Sequence, residues 1–147
     1  MKIDPVELEI LSHQVRAAAE EMAIALIRTA RTTYVKEVAD FGTAIAGTDG
    51  KFFAYPEALG VSPFVDLDLK PTLAQVPELA EGDVIITNHP FTTGGLASHL
   101  PDLQLVRPYF HAGEIVGYGW VFAHTSDIGG GAPSSISPRF SELFQKA

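Results

Sequence analysis

The feature that most constrains this chain is a change of hydrophobic period near Tyr34. Before it, Leu8, Leu11, Val15, Ala18, Met22 and Leu26 recur at steps of three and four residues, while Glu9, Glu20, Glu21 and Arg28 fall largely off that stripe. That is the pattern of an amphipathic helix. After Tyr34 come short β-prone runs punctuated by glycine and proline. A helix with one apolar stripe must bury it against whatever the later runs build. The expected class is therefore α+β: a long N-terminal amphipathic helix followed by β-hairpins forming an antiparallel sheet with glycine-rich loops.

Local signals set the boundaries. Asp4 is placed to cap, Pro5 sits at the first helical position, Glu7 has capping-box spacing, and Ile3 with Leu8 has the spacing of a hydrophobic staple. These predict a helix over residues 5 to about 32. Runs at 42–48 and 51–55 flank Asp49-Gly50, a strong two-residue hairpin signal. The proline-rich stretch 56–77 reads as loop with one short helix near Leu73. Three further strands are expected at 83–87, 103–110 and 115–123, the last two joined across His111-Ala112-Gly113-Glu114. Glycine-bearing loops occupy 88–102 and 125–137, and Phe140, Leu143 and Phe144 have helical spacing within 138–146. No repeat or linker divides the sequence, so 1–147 is expected to be a single domain.

Composition narrows the chemistry. There is no cysteine, which excludes disulfides, iron–sulfur clusters, thiolate zinc sites and cysteine nucleophiles. A formal charge of −8 opposes contact with nucleic acid phosphates or anionic lipid. No signal-peptide h-region and no apolar run long enough to span a bilayer is present, and a cytoplasmic address is expected by exclusion. Any metal site must draw on His, Asp or Glu.

His99-Leu100-Pro101-Asp102 lies where a loop meets a strand, and His124 ends the strand expected to pair with it. Counting from the turn, Phe110 faces about Ile115, Leu103 falls near Phe122, and Asp102 near Ala123 or His124. Two imidazoles and a carboxylate converge, a set that binds Zn, Mn or Fe with coordination positions left open. The competing reading is a hydrogen-bonded His–Asp pair that closes the strand end without an ion. Gly94-Gly95 before His99, and Asp127 with Gly129-Gly130 after His124, either offer bare N–H groups to an oxyanion or form ligand-free turns. Asp127 either orients His124 or stays solvated. Asp40 reads on sequence alone as a surface or turn carboxylate, His13 and His111 as surface positions, and His89 is left unassigned. Gly94-Gly95 lacks the spacing and lysine of a P-loop. Ser98 beside His99 lacks the Gly-x-Ser-x-Gly elbow of a serine nucleophile.

Taken together, Asp4-Pro5-Val6 with its helix, Ala39-Asp40-Phe41, Gly82-Asp83-Val84-Ile85, Asn88-x-Pro90, Gly94-Gly95 through His99-Leu100-Pro101-Asp102, and His124-x-x-Asp127-Ile128-Gly129-Gly130 resemble the hydantoinase B/oxoprolinase family over essentially the whole chain. The resemblance implies a divalent metal held by His and Asp, at positions matching Asp40, His99, Asp102 and His124, and so moves Asp40 into the ligand set. It implies a hetero-oligomer in which an A-type partner subunit uses ATP to activate the substrate carbonyl. The activity implied is ATP-dependent ring opening of a cyclic amide, a hydantoin or 5-oxoproline. Two alternatives are a subunit of an acetone- or acetophenone-type carboxylase, and a truncated remnant that binds metal or partner without turnover. His89 replaces a common Asp, Thr125 a frequent second His, and Leu96-Ala97-Ser98 lengthens the loop before His99; these departures bear on substrate choice. Family chains run several times longer, so the sequence is expected to be an N-terminal portion.

Overall fold

The computed structural model describes residues 4–61, 66–132 and 137–145. Helix α1 spans Pro5–Thr29, with Asp4 Oδ1 accepting the Val6 N–H at 2.9 Å. The Ile3 staple lies outside the described residues. The helix stops three residues before the expected end because Ala30 is extended (φ −60, ψ 146) and Thr32 turns its hydroxyl onto the Tyr34 N–H at 3.2 Å. That cap starts a separate turn, α2 at Thr33–Lys36.

Five strands follow: β1 Phe41–Ala46, β2 Phe52–Ala54, β3 Ile85–Thr87, β4 Asp102–His111 and β5 Glu114–His124. They form one antiparallel sheet in the order β2-β1-β5-β4-β3. A short helix, α3 at Lys70–Leu73, stands where the proline-rich stretch predicted one. The strand expected at 83–87 begins only at Ile85, because Asp83 is still engaged in a turn with Ala80, accepting its N–H and donating to its carbonyl. The helical spacing near the C-terminus yields only a 3-10 turn at Leu143–Gln145, with Phe144 83% exposed. Two turns, marginal on their own, do not sustain an α-helix here.

Each sheet face has its own core. On one face Ala44, Val106, Tyr118, Trp120 and Phe122 pack under Leu69 and Leu96, with Leu67, Leu73 and Leu79 from the long connection. On the other, Phe41 meets Ala23 and Val35. The Thr43 hydroxyl donates to the Ala19 carbonyl at 2.9 Å and ties helix to sheet. Ala19 and Ala23, not the expected Ala18, are the fully buried helix positions, and Leu8 and Leu11 are exposed. A 25-residue helix of about 37 Å outruns the six-residue β1 of about 20 Å, so the first turns of α1 reach the edge strand β2, where Leu8 and Leu11 line an open groove with Phe53 and Ala54.

The β4–β5 register departs from simple counting. Phe110 pairs with Ile115 as expected, but Tyr109 pairs with Gly117, which leaves Val116 as an extra residue in β5. From there Leu103 faces Ala123, not Phe122, and Asp102 faces His124.

Candidate metal centre

Three strand ends deliver the polar cluster. Asp102 opens β4, His124 closes β5 directly opposite, and Asp40 precedes β1, its carbonyl accepting the His124 N–H at 3.1 Å. Directly opposed residues share a face, so Asp102 and His124 head the same side of the sheet as Gln104, Phe122 and Trp120. Gly42 lies across from Phe122, where a Cβ would meet the Phe122 ring at 2.7 Å. Ala39 takes φ 59, a left-handed conformation unusual for alanine, immediately before Asp40. His99 arrives from the loop, where the Asp102 N–H donates to the His99 carbonyl at 3.1 Å.

His124 Nδ1 stands 3.2 Å from Asp102 Oδ1 and 3.5 Å from Asp40 Oδ2, and His99 Nδ1 stands 3.2 Å from Asp102 Oδ2. One ligand atom each from His99, Asp102 and His124 lies within 4.8 Å of the others. Two donors about 2.1 Å from a common ion stand about 3.0 Å apart at 90° and about 3.4 Å at the tetrahedral angle. The 3.2 Å separations fall in that range but run to different oxygens of Asp102, and they equally suit N–H···O hydrogen bonds. Charge bears on the choice. Asp102 and His124 are each 5% exposed, and among the described residues no lysine or arginine forms an ion pair with Asp40 or Asp102. Two carboxylates thus face one largely buried imidazole with no lysine or arginine paired to them among the described residues. His99, with a side chain 32% exposed, is the open side of the cluster.

The neighbouring residues sort differently from the sequence expectation. The Gly94 and Gly95 N–H groups donate to the Phe91 and Pro90 carbonyls, and the Gly129 N–H to Asp127 Oδ1 at 3.0 Å. Three of the four loop glycines thus use their N–H groups inside their own turns. Asp127 closes that turn and is exposed; Asp40 and Asp102 are the carboxylates facing His124. Thr125 donates from both N–H and hydroxyl to the Pro101 carbonyl and stays out of the cluster. His89 accepts the Thr92 N–H on Nδ1, which makes it part of the loop's own framework. Sequence reasoning missed Tyr34, whose ring lies 4.5 Å from the His124 ring, centroid to centroid. No motif announces it; the cap at Thr32 was the available signal.

Comparison with known proteins places this geometry. The hydantoinase B/oxoprolinase family matches over residues 4–147. The chain belongs to that family. This hydantoinase B/oxoprolinase chain is 37% identical to the 5-oxoprolinase of Dictyostelium discoideum over 141 residues, covering 93% of itself and 11% of that protein. Against caprolactamase subunit beta of Pseudomonas jessenii it is 27% identical, covering 97% of itself and 24% of that protein. The crystal structure of the ATP-dependent caprolactamase from that organism superposes with a TM-score of 0.80 at 26% identity, over 99% of this chain and 25% of that one. Acetone carboxylase shares the fold, with a TM-score of 0.68 at 14% identity over 86% of this chain and 17% of that one. The family chain described here thus spans between about a tenth and a quarter of the length of these relatives. Among its described residues, no helix is long and apolar enough to cross a membrane.

Proposed function

We propose that residues 1–147 form the metal-binding N-terminal portion of a hydantoinase B/oxoprolinase-type subunit that takes part in ATP-dependent opening of a cyclic amide. The observation that carries this reading is the convergence of Asp40, His99, Asp102 and His124 at one edge of the sheet with no lysine or arginine paired to the carboxylates among the described residues. Identity to a 5-oxoprolinase and likeness to an ATP-dependent caprolactamase support the substrate class. The carboxylase alternative rests on shared fold alone.

In this proposal His99, Asp102, His124 and Asp40 would hold Zn, Mn or Fe, and the ion would supply Lewis acidity toward the substrate carbonyl. The residues themselves do the positioning. Asp102 and Asp40 grip His124 from two sides and bring net negative charge that selects a dication. The exposed His99 leaves the substrate side accessible. Tyr34 fixes the far face of the His124 ring. Gly130, at φ 90, is the loop glycine retained as an oxyanion donor. ATP is used by an A-type partner subunit, which activates the carbonyl, in a hetero-oligomer with this chain.

The test is metal content and thermal stability of the purified chain with Zn²⁺, Mn²⁺ or anaerobic Fe²⁺. One equivalent is expected, with a stabilisation of about 2.7 kcal/mol when free ion is 100-fold above Kd. Both effects should vanish in His99→Ala, Asp102→Ala and His124→Ala. No bound ion in the parent chain, or unchanged stoichiometry in all three variants, overturns the site. Mixing with the A-type subunit, ATP and 5-oxoproline should give ring-opened product; product only with a ketone plus bicarbonate assigns the carboxylase reading instead.

A further inference from the structure

Ser98 makes three polar contacts within the cluster, all with the groups that matter there. Its backbone N–H meets Asp102 Oδ2 at 3.2 Å, its hydroxyl meets the same oxygen at 3.0 Å, and the hydroxyl also lies 2.7 Å from His99 Nδ1. A serine hydroxyl has one proton to give and two lone pairs with which to accept. The carboxylate oxygen only accepts, so the single proton of Ser98 goes to Asp102, and at His99 the hydroxyl accepts. His99 Nδ1 then faces two acceptors, Ser98 Oγ and Asp102 Oδ2.

We propose that Ser98 is the positioning residue of the centre: it holds Asp102 Oδ2 so that Oδ1 turns to His124 and the ion, and it fixes the His99 ring with its proton on Nδ1 while the site is ion-free. One side chain thereby sets the rotation of the carboxylate and the orientation of an imidazole. The sequence explains why the contacts are available, because the Asp102 N–H bond to the His99 carbonyl folds 98–102 into a turn that carries position 98 over position 102. Ser98 is exposed at the rim, so losing its hydroxyl opens no cavity in either core. Partners that orient metal-binding side chains typically account for about 10- to 100-fold in affinity.

The metal arm of this inference rests on the proposed function; the tautomer arm does not. In ion-free protein, long-range ¹H–¹⁵N spectra should show His99 protonated on Nδ1, shifting toward Nε2–H in Ser98→Ala. With Zn²⁺ as the probe, Ser98→Ala should bind about tenfold or more weakly at an unchanged ion-free Tm, and Ser98→Thr, which keeps a hydroxyl, should return to within about threefold of the parent. A parent His99 protonated on Nε2 overturns the positioning role whatever the metal result. Equal Zn²⁺ affinity in parent and Ser98→Ala, or a well-folded Ser98→Thr as weak as Ser98→Ala, overturns it as well. A parent that binds no ion but carries the Nδ1 proton overturns the metal reading and leaves the hydroxyl's role at His99 supported.

Discussion

Gly42→Ala is the sharpest test of how the sheet supports the centre, because its cost can be worked from the contacts. Gly42 is in β1, opposite Phe122 of β5, one residue pair along from where Phe41 meets Ala123. A Cβ there would meet Phe122 Cε1 at 2.7 Å, the Val61 carbonyl at 2.8 Å and Phe122 Cδ1 at 2.9 Å, against ordinary contacts of 3.4 Å or more. The Val61 N–H is bonded to the Phe41 carbonyl at 2.7 Å, which holds that segment against β1. The ring must therefore yield by more than half an ångström inside a core where it is only 6% exposed. Overpacking of this kind costs about 1–3 kcal/mol, and the lower chain entropy of alanine returns about 0.4–1 kcal/mol. The net loss is about 1–2 kcal/mol, or a Tm lower by about 3–6 °C for a chain of this size. Urea denaturation of Gly42→Ala, Phe122→Leu and the double variant measures it. The shorter side chain should relieve the clash, giving a coupling of about 1 kcal/mol between the two sites. Strict additivity, or a Gly42→Ala protein as stable as its parent, refutes the steric argument.

Two other perturbations separate global from local stability. Trp120→Phe removes the Nε1–H donated to Gln104 Oε1 at 3.1 Å and leaves an amide whose Nε2 already has no partner among the described residues, so urea melts followed by circular dichroism should show a loss of about 2–4 kcal/mol; less than about 1 kcal/mol contradicts the packing described. Asp4→Ala removes the cap of α1 in its exposed first turns, so amide exchange at residues 6–10 should quicken while the global Tm moves little; uniform destabilisation would mean those turns are packed after all.

What the sequence made legible was local. The helix start at Asp4-Pro5, the short helix near Leu73 and the tight turn at residues 111–114 each carry their information within a few residues, and each stands where expected. The convergence of Asp102 with His124 was visible through the turn count. What was hidden depends on contacts between distant segments. Asp40 joins His124 only because β1 pairs with β5, so composition around it gave no hint and family resemblance had to supply it. Ser98 attracted notice as a nucleophile, whereas its hydroxyl is committed to Asp102 and His99. The loop glycines advertised free N–H groups, yet tight turns at positive φ occupy most of them. The exposed start of α1 follows from its place over the sheet's edge strand, where Leu8 and Leu11 meet only the short β2, and no stripe of leucines reveals that.

The extra residue at Val116 gives the cluster a parity. Side chains along a strand alternate faces, so a shift of one residue in pairing sends every side chain to the opposite side. Were Val116 paired with Tyr109 instead of bulged out, the Phe110–Ile115 count would carry through, Asp102 would meet Ala123, and the His124 imidazole would lie on the opposite face from the Asp102 carboxylate. The bulge at a half-exposed valine eight residues from His124 therefore keeps Asp102 and His124 on one face. When relatives are aligned, a one-residue gap in this hairpin is neutral for the cluster only if the bulge disappears with the residue. A sequence can keep all four His and Asp letters and still spell no site, if the bulge and the residue count between the turn and the strand end fall out of step.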